Sequence, residues 1–210
     1  MSAPVASAPR MPIVLLAAGA GERYGGIKQL AVIDGEPMLR RAARRLLEIS
    51  KSIIVVTGAH AAEVETALAG LPVRIERHSG WADGMGSSLA AGVRRALADF
   101  PGATGVLICL ADQPLLDLTV LQQMLARHAV AAGSILATSL RGIDGPPVLF
   151  PRDCFEALAN WSGGRGAREL LEREARRVER FVASGVADVD TPADLERARE
   201  MLALHRNTRS

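Results

Sequence analysis

Aromatic side chains are scarce here: two Trp, one Tyr and four Phe among 210 residues. Proteins that grip single-stranded nucleic acid stack bases on such rings, so an extended stacking platform is excluded. Charge gives no further case for a nucleic-acid partner, since 25 Lys and Arg against 23 Asp and Glu leave a net +2. Cysteine is scarcer still. Cys109 and Cys154 lie far apart, with no CxxC and no histidine at ligand spacing, and Cys109 sits inside an apolar run. A buried, inert thiol in a reduced, cytoplasmic setting is expected. No apolar run approaches the ~18 residues of a membrane span. The opening MSAPVASAPR is polar and lacks the apolar stretch of a signal peptide. What remains is plentiful Ala, Leu and Val, enough for one domain over 12–205 between short flexible tails at 1–11 and 206–210.

The chain is organised around Leu15 to Leu30, LLAAGAGERYGGIKQL. An apolar run breaks at Ala17-Ala18-Gly19-Ala20-Gly21, and Arg23, Gly25-Gly26 and Lys28 follow. Small residues let backbone N–H groups line a concave loop that holds phosphate oxygens, and two nearby cations clamp a polyphosphate. The dinucleotide fingerprint GxGxxG does not fit, because Gly19, Gly21 and Gly25 leave one residue too many. Walker A does not fit either, because Gly26 is followed by Ile27-Lys28-Gln29 rather than Lys-Ser/Thr. The stretch matches the nucleotidyltransferase loop LAAGxGxRxGxxK at each fixed position. The bland alternative is a glycine-rich turn with Arg23 and Lys28 merely solvated.

Apolar, β-branched runs predict strands at 12–17, 52–57, 72–76, 104–110, 134–139 and 147–150. Helical patterns fit 37–49, 60–69, 86–99, 117–131, 152–160, 165–175 and 192–205. Pro37 and Pro192 suit first-turn positions, and Thr191 offers an N-cap oxygen. Alternating strands and helices imply a three-layer αβα, Rossmann-like domain with a mostly parallel sheet. Ligands in such sheets collect beyond the carboxyl ends of the strands.

Several polar residues fall at those ends. Asp112 closes an apolar strand; it either caps the turn before Pro114 or serves as a Mg²⁺ ligand. Asp190 either assists the cap of the last helix or supplies a second carboxylate, with Asp188 in reserve. In GMGSSLAAG, Ser87 and Ser88 open a helix, where they cap it or approach a base and ribose. Of the four histidines (His60, His78, His128, His205), only His78 lies near this edge, and none forms a Ser–His or Cys–His constellation.

With these pieces in view, the chain resembles the molybdenum cofactor cytidylyltransferases of the glycosyltransferase-A-like nucleotidyltransferases. The resemblance rests on LAAGAGERYGGIKQL, VVTG, W-x-x-GMGSSLAAG, LADQPLL, GPPVLFPRDCFEAL, GGRGAREL and DVDTPADLERA, from about residue 13 to 200. It implies transfer of CMP from CTP to the phosphate of molybdopterin, with release of pyrophosphate, in service of a recipient molybdoenzyme. By the same resemblance, amides around Ala18, Gly19 and Gly21 hold the triphosphate with Arg23, and Lys28 neutralises charge near the α-phosphate. Asp112 and Asp190 hold Mg²⁺; Leu16, Ala17, Ser87 and Ser88 approach the base and ribose. Relatives using GTP usually read Leu-Ala-Gly-Gly where this chain has Leu16-Ala17-Ala18-Gly19, which favours cytosine. Gly145-Pro146-Pro147 and Gly164 depart from the pattern of many relatives, so a sugar phosphate or a polyol phosphate such as methylerythritol phosphate stays open as acceptor. A non-catalytic role in cofactor delivery also stays open, although Arg23, Lys28, Asp112 and Asp190 are intact. A phosphate acceptor is already anionic, so transfer needs positioning and cations rather than a strong general base.

Overall fold

The computed structural model describes residues 11–140, 142–162, 166–183 and 188–207. Residues 1–10 and 208–210 of the expected tails, and Gly163-Gly164-Arg165 of GGRGAREL, lie outside them.

Strands and helices alternate as β1 (Ile13–Leu16), β2 (Val32–Ile33), β3 (Glu36–Pro37), α1 (Met38–Leu46), β4 (Ile53–Thr57), α2 (Ala61–Thr66), β5 (Arg74–Arg77) and α3 (Met85–Asp99). There follow β6 (Gly105–Leu110), α4 (Leu118–Val130), β7 (Ile135–Leu140), β8 (Ile143–Pro151), α5 (Phe155–Ala159), α6 (Arg168–Arg173), β9 (Val178–Val182) and α7 (Pro192–Asn207). One seven-stranded sheet runs β5-β4-β1-β6-β8-β7-β9. β1 lies parallel between β4 and β6, with Leu16 opposite both Val56 and Leu110, so three strands end together at one edge.

Alternation along each strand builds the layers. Val14, Leu16, Ile54, Val56, Val106 and Ile108 face one core with α3, α5 and α6, where Leu89, Val93, Leu158 and Leu170 meet them. Ile13, Leu15, Ile53, Val55, Leu107 and Cys109 face the other, with Leu39 and Leu46 of α1, Val64 of α2 and Met124 of α4. Gly92 lets α3 lie directly on the sheet, because a Cβ there would come within 2.4 Å of Val14 Cγ1. Both cysteines are buried and free; burial pushes the Cys109 thiol far up and Cys154 up to about 11.

The fold departs from the sequence expectation in five places. The strand expected at 147–150 begins at Ile143 and runs antiparallel between β6 and β7, because two residues after β7 permit a hairpin but no crossover. Val178–Val182, not expected as a strand, pairs in parallel with β7 at the sheet edge. Asp34 and Gly35 both take positive φ, the type I′ geometry of a tight hairpin, and join β2 to β3. Pro37 therefore precedes α1 instead of opening it. The last helix reaches Asn207, into the stretch expected as tail. Among the described residues, no helix is long and apolar enough to cross a membrane.

Candidate active site

The loop after β1 carries the first half of the site. Ala17 N–H still donates to Val56 C=O at 2.9 Å; beyond it the chain leaves the sheet. Gly21 sits at φ +73°, and a Cβ there would come 2.6 Å from Gly26 O, so the turn needs glycine. Gly19 is different. A Cβ on it would meet nothing within 4 Å, yet it lines the cleft, so its bareness leaves room for a ligand rather than for the protein's own packing. Two short 3-10 turns, Glu22–Tyr24 and Lys28–Leu30, bring Arg23 and Lys28 back over the cleft.

The acids come from two other segments. Asp112 follows β6, where Ala111 N–H donates to Leu16 C=O at 3.0 Å. Asp190 follows Val189, whose N–H donates to Asp112 C=O at 2.9 Å. Lys28 Nζ donates to Asp112 Oδ2 at 2.6 Å and to Asp190 Oδ1 at 3.1 Å. Arg23 Nη2 stands 3.0 Å from Asp190 Oδ2. Four residues separated by up to 167 positions thus share one cluster. The cleft they border, about 440 Å³, is also lined by Leu16, Ala17, Ala18, Gly19, Gly21, Trp81 and Ser88.

Burial dominates the electrostatics. It pushes the Asp112 carboxyl above the usual carboxylate value, with Lys28 pulling the other way. For Lys28 burial works against the ammonium, but Asp112 and Asp190 together outweigh it and hold its pKa above the ordinary lysine value. Asp112 Oδ1 is buried with no hydrogen-bond partner among the described residues. A carboxylate oxygen left so is costly inside a protein and suits a hard cation.

The bland alternatives for both acids meet other residues. The N-cap of α4 is Asp117, which accepts from Thr119 N–H at 2.9 Å, so Asp112 caps nothing there. At α7, Thr191 and Asp194 form a reciprocal box: Thr191 N–H donates to Asp194 Oδ2 at 2.8 Å, and Asp194 N–H to Thr191 Oγ1 at 3.3 Å. Asp190 contributes only its backbone N–H, which leaves its carboxylate to the cations. The reserve candidate Asp188 lies elsewhere, on a second cavity of about 540 Å³, where it accepts from Gln113. That cavity adjoins the first through Met85 and Leu110 and is walled by Gly145, Pro146 and Arg168.

The paired serines separate. Ser88 borders the cleft, whereas Ser87 does not: its hydroxyl donates toward Gly80 and Gly84 carbonyls at 2.9 and 2.8 Å and meets His78 Nε2 at 2.9 Å. With its single hydrogen spent on a carbonyl, Ser87 receives the His78 N–H, and the pair braces the start of α3. Gln29 is a residue of the cleft's supporting structure that sequence reasoning missed. Buried at 3% exposure, its Nε2 donates to Ala17 and Gly19 carbonyls at 3.0 and 2.7 Å and splints the loop from beneath. Only its place directly after Lys28 hinted at this.

The sequence profile of the MobA-like NTP transferase domain matches residues 13–178. Nicotine blue oxidoreductase of Paenarthrobacter nicotinovorans is 33% identical over 202 residues, covering 91% of this chain and 94% of that protein. Purine catabolism protein PucB of Bacillus subtilis (strain 168) is 35% identical over 124 residues, covering 57% of this chain and 58% of PucB. Among solved structures, Rv0371c of Mycobacterium tuberculosis H37Rv in complex with manganese is 26% identical, covers 91% of this chain and 98% of that one, and gives a TM-score of 0.71.

Proposed function

The chain belongs to the family of MobA-like NTP transferase domains and is a nucleotidyltransferase; within that class we propose that it transfers CMP from CTP to the phosphate of molybdopterin and releases pyrophosphate. One observation carries the reading: Arg23, Lys28, Asp112 and Asp190 converge on a single cleft beneath a glycine loop. Phosphoryl chemistry of this kind needs little covalent help from the protein and much positioned charge. The loop amides from Ala18 to Gly21, with Arg23, would hold the triphosphate. Lys28 would meet charge developing at the α-phosphate. Leu16, Ala17 and Ser88 would border the base and ribose, and the Leu-Ala-Ala-Gly spelling supports cytosine over guanine.

Two carboxylates, one with an unpartnered buried oxygen, suit a divalent ion, and Asp112 and Asp190 would hold Mg²⁺ there. When bound, that ion would offset negative charge on the phosphate oxygens. The manganese complex of Rv0371c supports a divalent requirement without choosing the metal. The second cavity, beside Gly145-Pro146, would take the acceptor, and residues 12–205 would act as one domain that serves a recipient molybdoenzyme in the cytoplasm.

Pyrophosphate release from purified protein tests this, with CTP, GTP, ATP and UTP each offered molybdopterin, a sugar phosphate or methylerythritol phosphate. Release from CTP with molybdopterin alone is expected. Release only with a sugar or polyol phosphate would move the acceptor, and a preference for GTP would move the base. Turnover of nicotine blue with no pyrophosphate from any pair would place the chain with its oxidoreductase relative instead.

A further inference from the structure

Gln113, directly after Asp112, is buried at 3% exposure and lines the second cavity. Its Nε2 donates to Pro146 C=O and to Asp188 Oδ1, each at 2.9 Å. Two acceptors on one nitrogen fix the amide's orientation, since a flipped carboxamide would set oxygen against both. Its Oε1 is buried without a partner among the described residues, so packing or general polarity does not account for the residue; its two hydrogens do.

What those hydrogens hold matters. The segment Asp188–Asp190 is tied at each residue: Asp188 to Gln113, Val189 N–H to Asp112 C=O, and Asp190 to Lys28 and Arg23. Phosphate oxygens entering the cleft compete for Lys28 and Arg23. Once they take those cations, Asp190 keeps no side-chain tie, only its backbone N–H bond to Asp194 Oδ2, and the front of the segment hangs on Asp188 and Val189. Gln113 supplies the tie at Asp188 and, through the same nitrogen, pins the stretch of β8 at Gly145 and Pro146 that walls the second cavity.

We propose that Gln113 is a positioning residue: it keeps the acceptor-side start of β8 and the Asp190-bearing segment in register with the nucleotide cleft while nucleotide phosphates draw the cations away. The assignment rests on reading the first cavity as the nucleotide half and the second as the acceptor half. It makes Asp188 the anchor of a clip, acting as a hydrogen-bond acceptor and not through its charge.

Two measurements test it. In steady-state pyrophosphate release with the acceptor that the wild type uses, Gln113→Ala lowers kcat/KM for the acceptor by roughly 10- to 100-fold, the scale of a misplaced reacting group. Its CTP affinity by calorimetry stays at the wild-type value. Asp188→Ala reproduces that loss, the double variant is no worse than either single one, and Asp188→Asn, which keeps an oxygen facing Gln113, recovers most of it. Hydrogen exchange needs no substrate: the amides of Ile143, Asp144, Gly145 and Val148 exchange faster in Gln113→Ala and Asp188→Ala than in wild type or Asp188→Asn. Asp188→Asn as damaging as Asp188→Ala would overturn the clip, because Asp188 would then act through charge. So would unchanged acceptor kinetics or unchanged exchange in Gln113→Ala. A wild type that binds no CTP defeats the functional reading alone, and the exchange data then decide the clip by themselves.

Discussion

Lys28 is the residue whose removal says most about the site. Its ammonium bridges Asp112 and Asp190 at 2.6 and 3.1 Å, and its side chain and that of Asp112 are only 14% and 18% exposed. In Lys28→Ala the two acids lose their shared counter-charge, while Arg23 still reaches Asp190 but not Asp112. Removing one partner of a fully buried pair costs about 3–5 kcal/mol; with this cluster open to the cleft, roughly 2–3 kcal/mol is expected. For a chain of this size that lowers Tm by about 4–12 °C. Neutralising the stranded acid should reverse it, so Lys28→Ala,Asp112→Asn should unfold well above Lys28→Ala. Catalysis should not return in the double variant. Rapid-quench single turnover should show the transfer step slowed by about 10²–10³-fold in Lys28→Ala, a loss typical of removing one transition-state charge contact, with a smaller change in CTP affinity. Wild-type Tm in Lys28→Ala would refute the premise that this cation neutralises the acids. Poorer CTP binding with an unchanged transfer rate would refute its role in the transition state.

Asp112→Asn should abolish turnover yet leave a folded protein, because Lys28 keeps Asp190; circular dichroism with a pyrophosphate assay checks both, and a wild-type rate would remove Asp112 from the chemistry. Gly58→Ala should cost about 1–3 kcal/mol in urea unfolding by overpacking, because its Cβ would lie 2.7 Å from Ala18 O and Trp81 Cβ, atoms that cannot swing aside. It should also weaken CTP binding, and an unaltered urea midpoint would contradict the close approach. Burial holds the His128 pKa below the usual histidine value, with the Thr104 contact opposing. The unfolded chain therefore takes up a proton near pH 6.5 that the folded chain refuses. Stability present above that pH is lost as pH falls, by at most about 1.4 kcal/mol per pH unit for one proton. His128→Gln should flatten the fall in urea midpoint between pH 7.5 and 5; parallel curves for variant and wild type would exclude His128 as its source.

The parts legible in sequence are those whose cause is local. Gly21 needs a left-handed φ within its own turn, and two-sided apolar runs such as Ile53–Val56 bury both faces wherever they sit in a sheet. Asp112 stood out because a carboxylate at the end of an apolar run is conspicuous, and Asp190 as a second carboxylate just before the Thr191-Pro192 helix start. The missed strand β9 hid behind its charges, Glu179 and Arg180, which are satisfied from afar by Arg127 and Asp144. β8 hid half its length because Ile143 to Pro146 are not buried like Val148 to Phe150, and its direction depends on the hairpin before it. The β2–β3 hairpin carried its signal in Asp34-Gly35, yet two-residue strands give no period to detect. Gln29 and Gln113 were illegible for a different reason. A carboxamide announces only that it can donate and accept; which carbonyls it meets is settled by segments 10 to 75 residues away.

The same division explains how so much charge is tolerated at one sheet edge. Each acid of the cleft has a neighbour that takes over the structural task it would otherwise perform: Asp117 caps α4, and Thr191 with Asp194 caps α7. Gln29 ties down the loop, so Arg23 and Lys28 need not hold it, and Ser87 with His78 braces α3, which leaves Ser88 to face the cleft. A carboxylate that also capped a helix would cost that helix about 0.5–2 kcal/mol whenever it turned to a ligand. With those tasks delegated, the proposed passage of Lys28 and Arg23 from the carboxylates to incoming phosphates would cost their ion pairs alone, while the sheet and its helices stay as they are.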